Sequence, residues 1–464
     1  MDHFDKLTDT IAAIATGMTD AGISIIRISG PDAIKISDKV FKASCKKSLS
    51  ALSSNTINFG HVYDGKDLID QVLCSVFRAP KSYTGEDTVE INCHGGRYVT
   101  QRILDIVLNN GARLAEPGEF TKRSFLNGKK DLSEAEAVMD IISAKNEFAL
   151  LNSQRLLRGN VRKEIKELRE KILYETAYIE SALDDPEHFD LSDYPKELRF
   201  KVKEIICRIE KLIENSKNGK LRKDGISTVL VGKPNAGKSS FMNMLLGEDR
   251  AIVTSTAGTT RDVLSETVRI GDIVLNITDT AGIRDTGDEI EKIGVIKAKE
   301  YAKSADLLLY MVDSSVPLDE NDDDIIEMMH DRHFMVLMNK SDLKTSVTLE
   351  ELKDIFGDDV IIINISATEN LGMDKFEKAL KEMFFKNDFL LNDEIVITNT
   401  RQATELQSAL DSLNLVLKSI DDQMPEDFYS IDLTNAYTHL GLIIGEQIDD
   451  DLADEIFSKF CMGK

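Results

Sequence analysis

One glycine-rich motif, set between a strand pattern and a helix pattern, constrains this chain more than any other feature. Residues Gly232–Ser239 have the sequence GKPNAGKS, which fits G-x-x-x-x-G-K-[ST], and they follow the apolar run Ser227–Val231. Glycines allow backbone N–H groups to turn inward around phosphate groups, and the following helix directs its positive end toward them. Lys238 is then expected to reach the outer phosphates, and the Ser239 hydroxyl to bind Mg²⁺. The motif predicts a nucleotide-binding loop.

Four further motifs follow in the order that a guanine-nucleotide switch requires. Thr260 can supply a second oxygen to Mg²⁺, and Asp279–Gly282 (DTAG) ends a strand where a carboxylate can hold the water shell of the metal. Asn339–Asp342 (NKSD) follows another strand, and its Asp342 carboxylate can accept two hydrogen bonds from guanine, whereas adenine offers no such pair. A backbone N–H at Ser366-Ala367 can reach the guanine oxygen. In this order the motifs predict GTP binding.

The residue that orients the attacking water in a Ras-type switch is missing from its usual position. A glutamine ordinarily follows D-T-A-G, but this chain has Ile283, which cannot hydrogen-bond to water. The acidic segment Asp285–Glu291 (DTGDEIE) is the nearest source of a carboxylate for that role. Arg261 and Arg284 are candidates for an arginine finger, but each is better explained as a structural residue or a neighbour of the phosphates.

The strand pattern around the glycine-rich motif predicts an α/β domain. Strand-type apolar runs alternate with helical patterns at residues 227–231, 273–278, 307–312, 334–338 and 360–365. Strands that alternate with helices form a mostly parallel sheet with both faces covered. Because helical patterns both precede and follow this region, we expect the domain to be inserted into a helical domain.

The residues before this region show two kinds of pattern, first mixed strands and helices and then long helices. Short strand-type runs such as Ile23–Ile28 and Thr88–Asn92, with a helical pattern at Val99–Leu108, are typical of an α+β domain. A long helical pattern then begins near Ser133, which we expect to form a capping box with Glu136 ahead of two or more long helices. We therefore predict a multidomain chain, with an α+β domain at residues 1–120, a helical domain at 121–217 and 387–464, and an α/β domain at 218–386.

Charge and hydropathy narrow the classes of function. The chain of 464 residues has 57 Lys and Arg and 81 Asp and Glu, for a formal net charge of −24. That balance argues against a nucleic-acid binder held by one broad basic surface. Its sequence shows no membrane-spanning run, no export signal and no C-x-x-C pair among five cysteines, so we expect a cytoplasmic protein without disulfides or zinc. The acidic runs Asp319–Asp324 and Asp449–Asp451 are expected to be solvated.

Several segments together carry a resemblance to a known family over nearly the whole chain. In the GTPase region they are residues 232–240 (GKPNAGKSS), 254–262 (TSTAGTTRD), 279–284 (DTAGIR) and 288–294 (DEIEKIG). Outside it they are residues 82–87 (SYTGED), 94–96 (HGG), 116–120 (EPGEF), 126–132 (LNGKKDL) and 461–464 (CMGK). The chain resembles the MnmE (TrmE) family of tRNA-modification GTPases. The resemblance implies an N-terminal α+β domain similar to tetrahydrofolate-binding domains, a helical domain, and an inserted Ras-like P-loop GTPase domain.

The resemblance also implies how GTP is hydrolysed without the usual glutamine. In this family K⁺ takes the place of an arginine finger, and the matching ligands are Asn235, Thr254, Thr256 and Thr259. A fixed cation beside the β/γ bridge offsets the charge that develops there. The water-positioning glutamate of the family matches Glu291. The implied GTP-binding residues are Asn235, Ala236, Gly237, Lys238, Ser239, Ser240, Thr254, Ser255, Thr256, Ala257, Gly258, Thr259, Thr260, Asp279, Thr280, Ala281, Gly282, Asn339, Lys340, Asp342, Ser366 and Ala367.

For the N-terminal domain and the C-terminal tail, the resemblance implies a folate site. The matching residues are Arg27, Glu90 and Lys129, with the neighbouring Lys130 as the alternative lysine that points inward, and Lys464 is expected to reach the same site. A pterin ring has a guanine-like donor edge, so a carboxylate such as Glu90 suits it. Cys461 matches a cysteine of the family that is regarded as a functional thiol, and packing at a helix end is the alternative explanation for it.

By resemblance, this chain is expected to be a K⁺-activated GTPase that helps to modify the wobble uridine of certain tRNAs. It would form a homodimer, and a heterotetramer with a flavin- and NADH-dependent partner of the MnmG (GidA) family that carries FAD. A formyl or methylene derivative of tetrahydrofolate would supply one carbon, and GTP hydrolysis would open and close paired GTPase domains.

Two other functions are compatible with the central motifs alone. The first is a regulatory GTPase switch that binds partners through its helical domain and performs no one-carbon chemistry; it predicts no folate binding at residues 1–120. The second is a ribosome-assembly GTPase, for which a basic RNA-binding appendage is expected. Folate binding separates the leading hypothesis from the first alternative.

Replacing Asp342 by asparagine tests the assignment of the base-reading carboxylate. Because an amide cannot accept both guanine hydrogen bonds, Asp342→Asn should weaken GTP binding by at least about tenfold and shift base preference toward xanthine. Competition of GTP and XTP for a fluorescent nucleotide measures both effects. Unaltered preference for guanine would remove Asp342 from base recognition.

Overall fold

The structure of this chain, a computed structural model, contains two compact units. The described residues are 9–185, 187–188, 193–247, 265–279, 301, 303, 305–329, 332–385, 395–448, 450–461 and 463. Residues 1–142, 155–205 and 405–464 belong to the first unit, and residues 143–154 and 206–404 belong to the second. None of the helices within the described ranges has the length and apolar character to span a bilayer.

The first unit contains a mixed sheet that carries helices on one face. Counting the described residues, seven strands pair in the order β3-β4-β5-β6-β2-β1-β7, antiparallel except for the β1–β7 pair. The elements are β1 (Ile11–Ile14), β2 (Ala21–Ser29), α1 (Ala33–Val40), β3 (Phe41–Ala43), β4 (Thr56–Asp64), β5 (Asp67–Phe77), β6 (Thr88–Gly95), α2 (Arg97–Asn109), β7 (Arg113–Leu114) and α3 (Glu119–Leu126). The expected α+β arrangement is confirmed.

Alternation along the strands gives this sheet two different faces. Side chains such as Ile26, Cys74 and Ile91 point to one face and form a buried core with α1 and α2. Because successive residues of a strand point to opposite faces, Phe59 and its cross-strand partner Leu73 lie on the other face, where both are exposed. Part of that second face is therefore apolar and exposed.

Long helices follow the sheet, as the apolar spacing predicts. They are α4 (Leu132–Ser143), α5 (Glu147–Leu157), α6 (Asn160–Asp184), α7 (Tyr194–Asp224), α12 (Thr400–Asp421), α13 (Glu426–Ile444) and α14 (Asp450–Ser458). In the first unit α6 packs along α13, and Arg169 lies where the backbone of Gly441 leaves room for it. The Arg169 Nε donates to the carbonyl oxygen of Tyr437 at 3.2 Å, and its guanidinium stacks on the Tyr437 ring at 3.9 Å.

The N-terminus of α4 differs from the sequence-based expectation. The capping pair is Asp131 with Glu134, since Asp131 Oδ1 accepts from the backbone N–H of Glu134 and Glu134 Oε2 accepts from that of Asp131, each at 2.8 Å. Ser133 instead lies inside the first turn and donates to Asp131 Oδ1 at 2.7 Å. The prediction of a Ser133–Glu136 box was wrong because aspartate fills the same role two residues earlier.

The second unit contains the predicted mostly parallel sheet. Among the residues described here, six strands pair in the order β13-β12-β11-β8-β10-β9, and β9 with β10 is the antiparallel pair. The elements are β8 (Ile226–Val231), α8 (Lys238–Leu246), β9 (Ser265–Ile270), β10 (Ile273–Asp279), β11 (Leu307–Asp313), α9 (Glu320–Glu327), β12 (Phe334–Asn339), α10 (Leu349–Phe356), β13 (Ile362–Asn364) and α11 (Met373–Phe384). Helices cover both faces, since buried clusters form with α8 and α11 on one side and with α9 and α10 on the other.

Truncation of one core phenylalanine tests the packing of the second unit. Phe376 is fully buried and meets Phe241 edge to face, with ring centroids 5.8 Å apart. Phe376→Ala should lower the free energy of unfolding by about 3–5 kcal/mol because it removes a buried ring and leaves a cavity. Urea denaturation measures the loss, with Phe200→Ala as the control because Phe200 is exposed. Equal effects of the two substitutions would contradict the packing described.

Candidate functional site

The glycine-rich motif forms a tight loop between β8 and α8. Gly232 and Gly237 have φ angles of +154° and +100°, values that favour glycine. A Cβ on Gly237 would lie 2.0 Å from the Asn339 Nδ2 atom, so the loop can approach β12 only with glycine there. The Lys238 Nζ donates to the carbonyl oxygens of Gly232 at 2.6 Å and Lys233 at 2.8 Å. Ser239 and Ser240 are exposed at the first turn of α8.

The NKSD motif forms a second loop at the end of β12. Lys340 has a φ of +60°, and its Nζ donates to Asp313 Oδ2 at 2.6 Å. Burial disfavours the Asp313 carboxylate, but hydrogen bonds from Lys340 and Ser315 outweigh that effect and hold the pKa of Asp313 below its ordinary value. Asp342 is exposed, and its Oδ1 accepts from the Ser366 hydroxyl at 2.5 Å. The carboxylate that is predicted to read the base is thus oriented by the next loop along the sheet.

Asn339 connects the two loops to a third. Its Nδ2 donates to the carbonyl oxygen of Ala236 at 2.8 Å, and its Oδ1 accepts from the backbone N–H of Ala367 at 3.1 Å. The side chain is almost fully buried. Residues predicted for the phosphates, the base and the guanine oxygen are therefore brought together at the carboxyl edge of the parallel strands.

The other predicted site residues lie at the edge of the described residues or outside them. Asp279 ends β10, and its backbone is in register with Leu230 of β8, two residues before Gly232. The side chain of Asp279 lies outside the described residues, as do Thr254, Ser255, Thr256, Ala257, Gly258, Thr259, Thr260, Thr280, Ala281, Gly282, Glu291 and Lys464.

A second cluster of functional candidates lies on the open face of the N-terminal sheet. Arg27 and Glu90 are cross-strand neighbours, and the Arg27 Nε donates to Glu90 Oε1 at 2.9 Å. The guanidinium lies 5.4 Å from the ring centroid of Tyr83 and 5.6 Å from that of Phe120. Both side chains of the pair stay partly accessible, at 16% and 20%, so the cluster presents a charged pair beside Tyr83, with the buried Phe120 ring behind it.

The two lysines that follow α3 take different positions. Lys129 is exposed, and its Nζ donates to the carbonyl oxygen of Pro80 at 3.0 Å. Lys130 is half-buried with its Nζ 4.5 Å from the Tyr83 ring centroid, and burial lowers the pKa of its ammonium. Lys130, rather than Lys129, thus lies over the ring that Arg27 contacts.

The C-terminal tail reaches the same cluster. The carbonyl oxygen of Gly463 accepts from Arg27 Nη1 at 3.2 Å, and a Cβ on Gly463 would lie 2.2 Å from the Ile14 carbonyl oxygen. Cys461 is exposed, and its carbonyl oxygen accepts from the Gly118 N–H at 3.3 Å. The tail therefore lies against β1 and β2, although residue 463 is far from them in sequence.

Sequence reasoning missed several residues that the fold brings to these sites. Tyr83 and Phe120 lie in the SYTGED and EPGEF segments on which the resemblance partly rests, so those segments were a usable signal. Asp322 belongs to the acidic run that we expected to be solvated, yet its side chain is 2% exposed and pairs with Lys233 of the phosphate loop. No sequence signal indicates that pairing, because the two residues are distant in the chain.

A phosphate loop that is hydrogen-bonded to a guanine-reading loop, on a mostly parallel sheet, defines the P-loop GTPases. Comparison with known proteins narrows that class. The family model for the MnmE helical domain matches residues 132–461, and that for the GTP-binding protein TrmE N-terminus matches residues 10–129. The chain belongs to the MnmE family of GTPases.

Curated relatives are similar in sequence to this chain over their full length. The tRNA modification GTPase MnmE of Lachnoclostridium phytofermentans is 51% identical, over 98% of this chain and 100% of that protein. The proteins of the same name from Clostridioides difficile and Alkaliphilus oremlandii are each 44% identical, over 99% of this chain and 100% of theirs. The N-terminal, helical and GTPase regions thus all have counterparts in these relatives.

Proposed function

We propose that this chain is a K⁺-activated GTPase that modifies the wobble uridine of certain tRNAs together with a flavin-dependent partner of the MnmG (GidA) type. The relatives described above are named for tRNA modification. The observation that carries the GTPase part is the Asn339 bridge, which fixes the phosphate loop and the loop that holds Asp342 in one arrangement. A preformed arrangement of this kind lets GTP bind with little reorganisation.

The described residues fit the cations that this proposal requires. Ser239 places an exposed hydroxyl at the start of α8, the position from which this motif binds Mg²⁺. Asn235 has a φ of +60° and an exposed side chain beside the loop glycines, and an amide oxygen is a hard ligand of the type that K⁺ accepts. In the proposal Thr254, Thr256 and Thr259 complete the K⁺ site, Thr260 completes the Mg²⁺ site, and Glu291 orients water. The bound cations offset the negative charge that develops on the phosphates.

The cluster on the N-terminal sheet fits a tetrahydrofolate derivative. Glu90 would offer a carboxylate to the donor edge of a pterin, and the partly exposed ring of Tyr83 would give a flat ligand an apolar surface. Arg27, Lys130 and the proposed Lys464 would meet carbonyl or carboxylate groups of the folate. Lys129 remains a candidate for the glutamate tail because it is exposed at the rim. Cys461 is proposed as a thiol near this site.

The apolar part of the same sheet face supports a homodimer. Ile57, Phe59 and Leu73 are 68%, 51% and 44% exposed, and Ile57 shares its face with Ser75 and hence with Glu90 across the strands. An open apolar face beside a ligand pocket is typical of a surface that another protein covers. In the proposal that protein is a second copy of the chain, so each folate pocket would lie next to the dimer contact.

The net charge of the chain bears on how tRNA is held. At −24, the protein as a whole repels a polyanion. We therefore assign much of the tRNA contact to the MnmG-type partner, which would also carry FAD and use NADH. In this proposal the present chain has two tasks: its GTP hydrolysis drives closure of the paired GTPase domains, and its folate site supplies the one-carbon unit.

The cation requirement gives the first test. GTP hydrolysis should be strongly faster in KCl than in NaCl at equal ionic strength, because K⁺ acts at a fixed site and not through screening. Equal slow rates in the two salts would contradict the proposed K⁺ mechanism and favour a regulatory switch.

Replacing Glu291 tests the water-positioning role. Glu291→Ala should lower the turnover rate by about 100-fold or more while GTP affinity stays near wild type. Glu289→Ala is the matched control from the same acidic segment.

Folate binding gives the second test. Isothermal titration with 5-formyltetrahydrofolate should show binding to the wild-type chain, and Arg27→Ala should weaken it by about tenfold or more because a charge-assisted contact is lost. Lys130→Ala should weaken binding more than Lys129→Ala, since Lys130 lies over the Tyr83 ring. Absence of binding to wild-type protein would favour the regulatory switch over the modification enzyme.

A further inference from the structure

Lys233, which follows the first glycine of the phosphate loop, forms ion pairs with two aspartates from a distant segment of the chain. Its Nζ lies 2.7 Å from Asp322 Oδ2 and 3.0 Å from Asp319 Oδ2. The two carboxylates differ sharply in burial, because the Asp319 side chain is 52% exposed and that of Asp322 is 2% exposed. An ion pair with a buried partner is weakly screened by solvent and salt, so Asp322 is the stronger of the two attachments.

Asp322 is itself held in place by other groups. The hydroxyl of Tyr310 donates to Asp322 Oδ1 at 2.6 Å, and the backbone N–H of Asp319 donates to Asp322 Oδ2 at 2.8 Å. Tyr310 is fully buried in β11, and its hydroxyl, protonated at neutral pH like that of any tyrosine, can donate this hydrogen bond; burial raises its pKa further. The carboxylate that receives Lys233 is therefore fixed to the central part of the sheet.

Lys233 is also held through its main chain. Its carbonyl oxygen accepts from Lys238 Nζ at 2.8 Å, next to the bond that Gly232 makes to the same ammonium. The side chain of Lys233 is thus tied to Asp322, while its carbonyl oxygen orients the lysine that is assigned to the phosphates. A shift of Lys233 would move an acceptor that sets the direction of Lys238.

We propose that Lys233 and Asp322 are positioning residues of the GTPase site, whose ion pair fixes the start of the phosphate loop and so holds Lys238 in position for the phosphates. The inference rests on the proposed assignment of Lys238, and it adds two residues that act through Lys238. Preplacement matters for rate because a cation that is already aimed at the developing charge needs no reorganisation in the transition state.

Four single variants test the pair through saturation kinetics of GTP hydrolysis with Mg²⁺ and KCl. Asp322→Asn keeps an acceptor for Tyr310 but places amide N–H donors against the Lys233 ammonium, and Lys233→Met removes the charge at similar size. Each should lower kcat/KM by about tenfold, with most of the loss in kcat. Lys233→Arg keeps the ion pair and should stay within about threefold of wild type. Asp319→Asn is the matched control and should stay within about twofold, because its carboxylate is exposed.

Two further readouts separate positioning from a general structural effect. The double variant Lys233→Met/Asp322→Asn should be no slower than either single variant, since both remove one interaction. The ratio of GTP to ITP hydrolysis should stay at its wild-type value, because the loop that holds Asp342 is untouched. Lys233→Met and Lys233→Arg keep the inference testable even where Asp322→Asn fails to fold.

The outcomes that overturn the inference are distinct from those that overturn the proposed function. Wild-type kcat/KM in Lys233→Met, a loss in Lys233→Arg equal to that in Lys233→Met, or an equal loss in Asp319→Asn would each remove the positioning role. A change in the GTP-to-ITP ratio would show damage to the whole site and would also overturn it. Failure of the wild-type chain to hydrolyse GTP, by contrast, would overturn the proposed function itself.

Discussion

The buried side-chain amide of Asn339 holds the three loops of the nucleotide site together. The parallel strands β8, β12 and β13 end at the same edge of their sheet, which brings three loops near one another. Asn339 then joins them by donating to the Ala236 carbonyl oxygen and accepting from the Ala367 N–H. The close approach of Gly237 to the Asn339 amide is possible only without a side chain. The placement of Lys238 and of Asp342 depends on this bridge, since it sets the distance between the phosphate loop and the base loop.

The N-terminal site depends on a different kind of constraint. Arg27 is an interior residue of a strand, and the antiparallel register places it opposite Glu90. Tyr83, Phe120 and the carbonyl oxygen of Gly463 are added from three other segments. A guanidinium that is surrounded in this way is held in one orientation, so the cluster has a charged group at a defined position beside the Tyr83 ring. The tail contributes through its backbone, which explains why a glycine with a φ of +83° stands at position 463.

Local patterns predicted most of the strands and helices, but they misplaced one helix cap and one acidic side chain. Strands at 227–231, 273–278, 307–312 and 334–338 appear as β8, β10, β11 and β12, because a buried parallel strand needs a continuous apolar run. The capping residue of α4 was misplaced because aspartate and serine satisfy the same orphan N–H groups, and sequence does not show which is used. Asp322 was expected in solvent because an acidic run is usually solvated, but a hydroxyl and an ammonium from elsewhere compensate its burial.

The sequence by itself determined the sheet type, the nucleotide class and the family, because each depends on residues that lie close together in the chain. Gly232–Ser239 and Asn339–Asp342 carry their chemistry within single loops, so their spacing is enough to recognise them. Tertiary structure decided which of Lys129 and Lys130 faces Tyr83, which acidic residue holds the phosphate loop, and where the C-terminal tail lies. Those outcomes depend on side-chain direction and burial between distant segments, and the cost of burying a charge is met only once the fold supplies its partner.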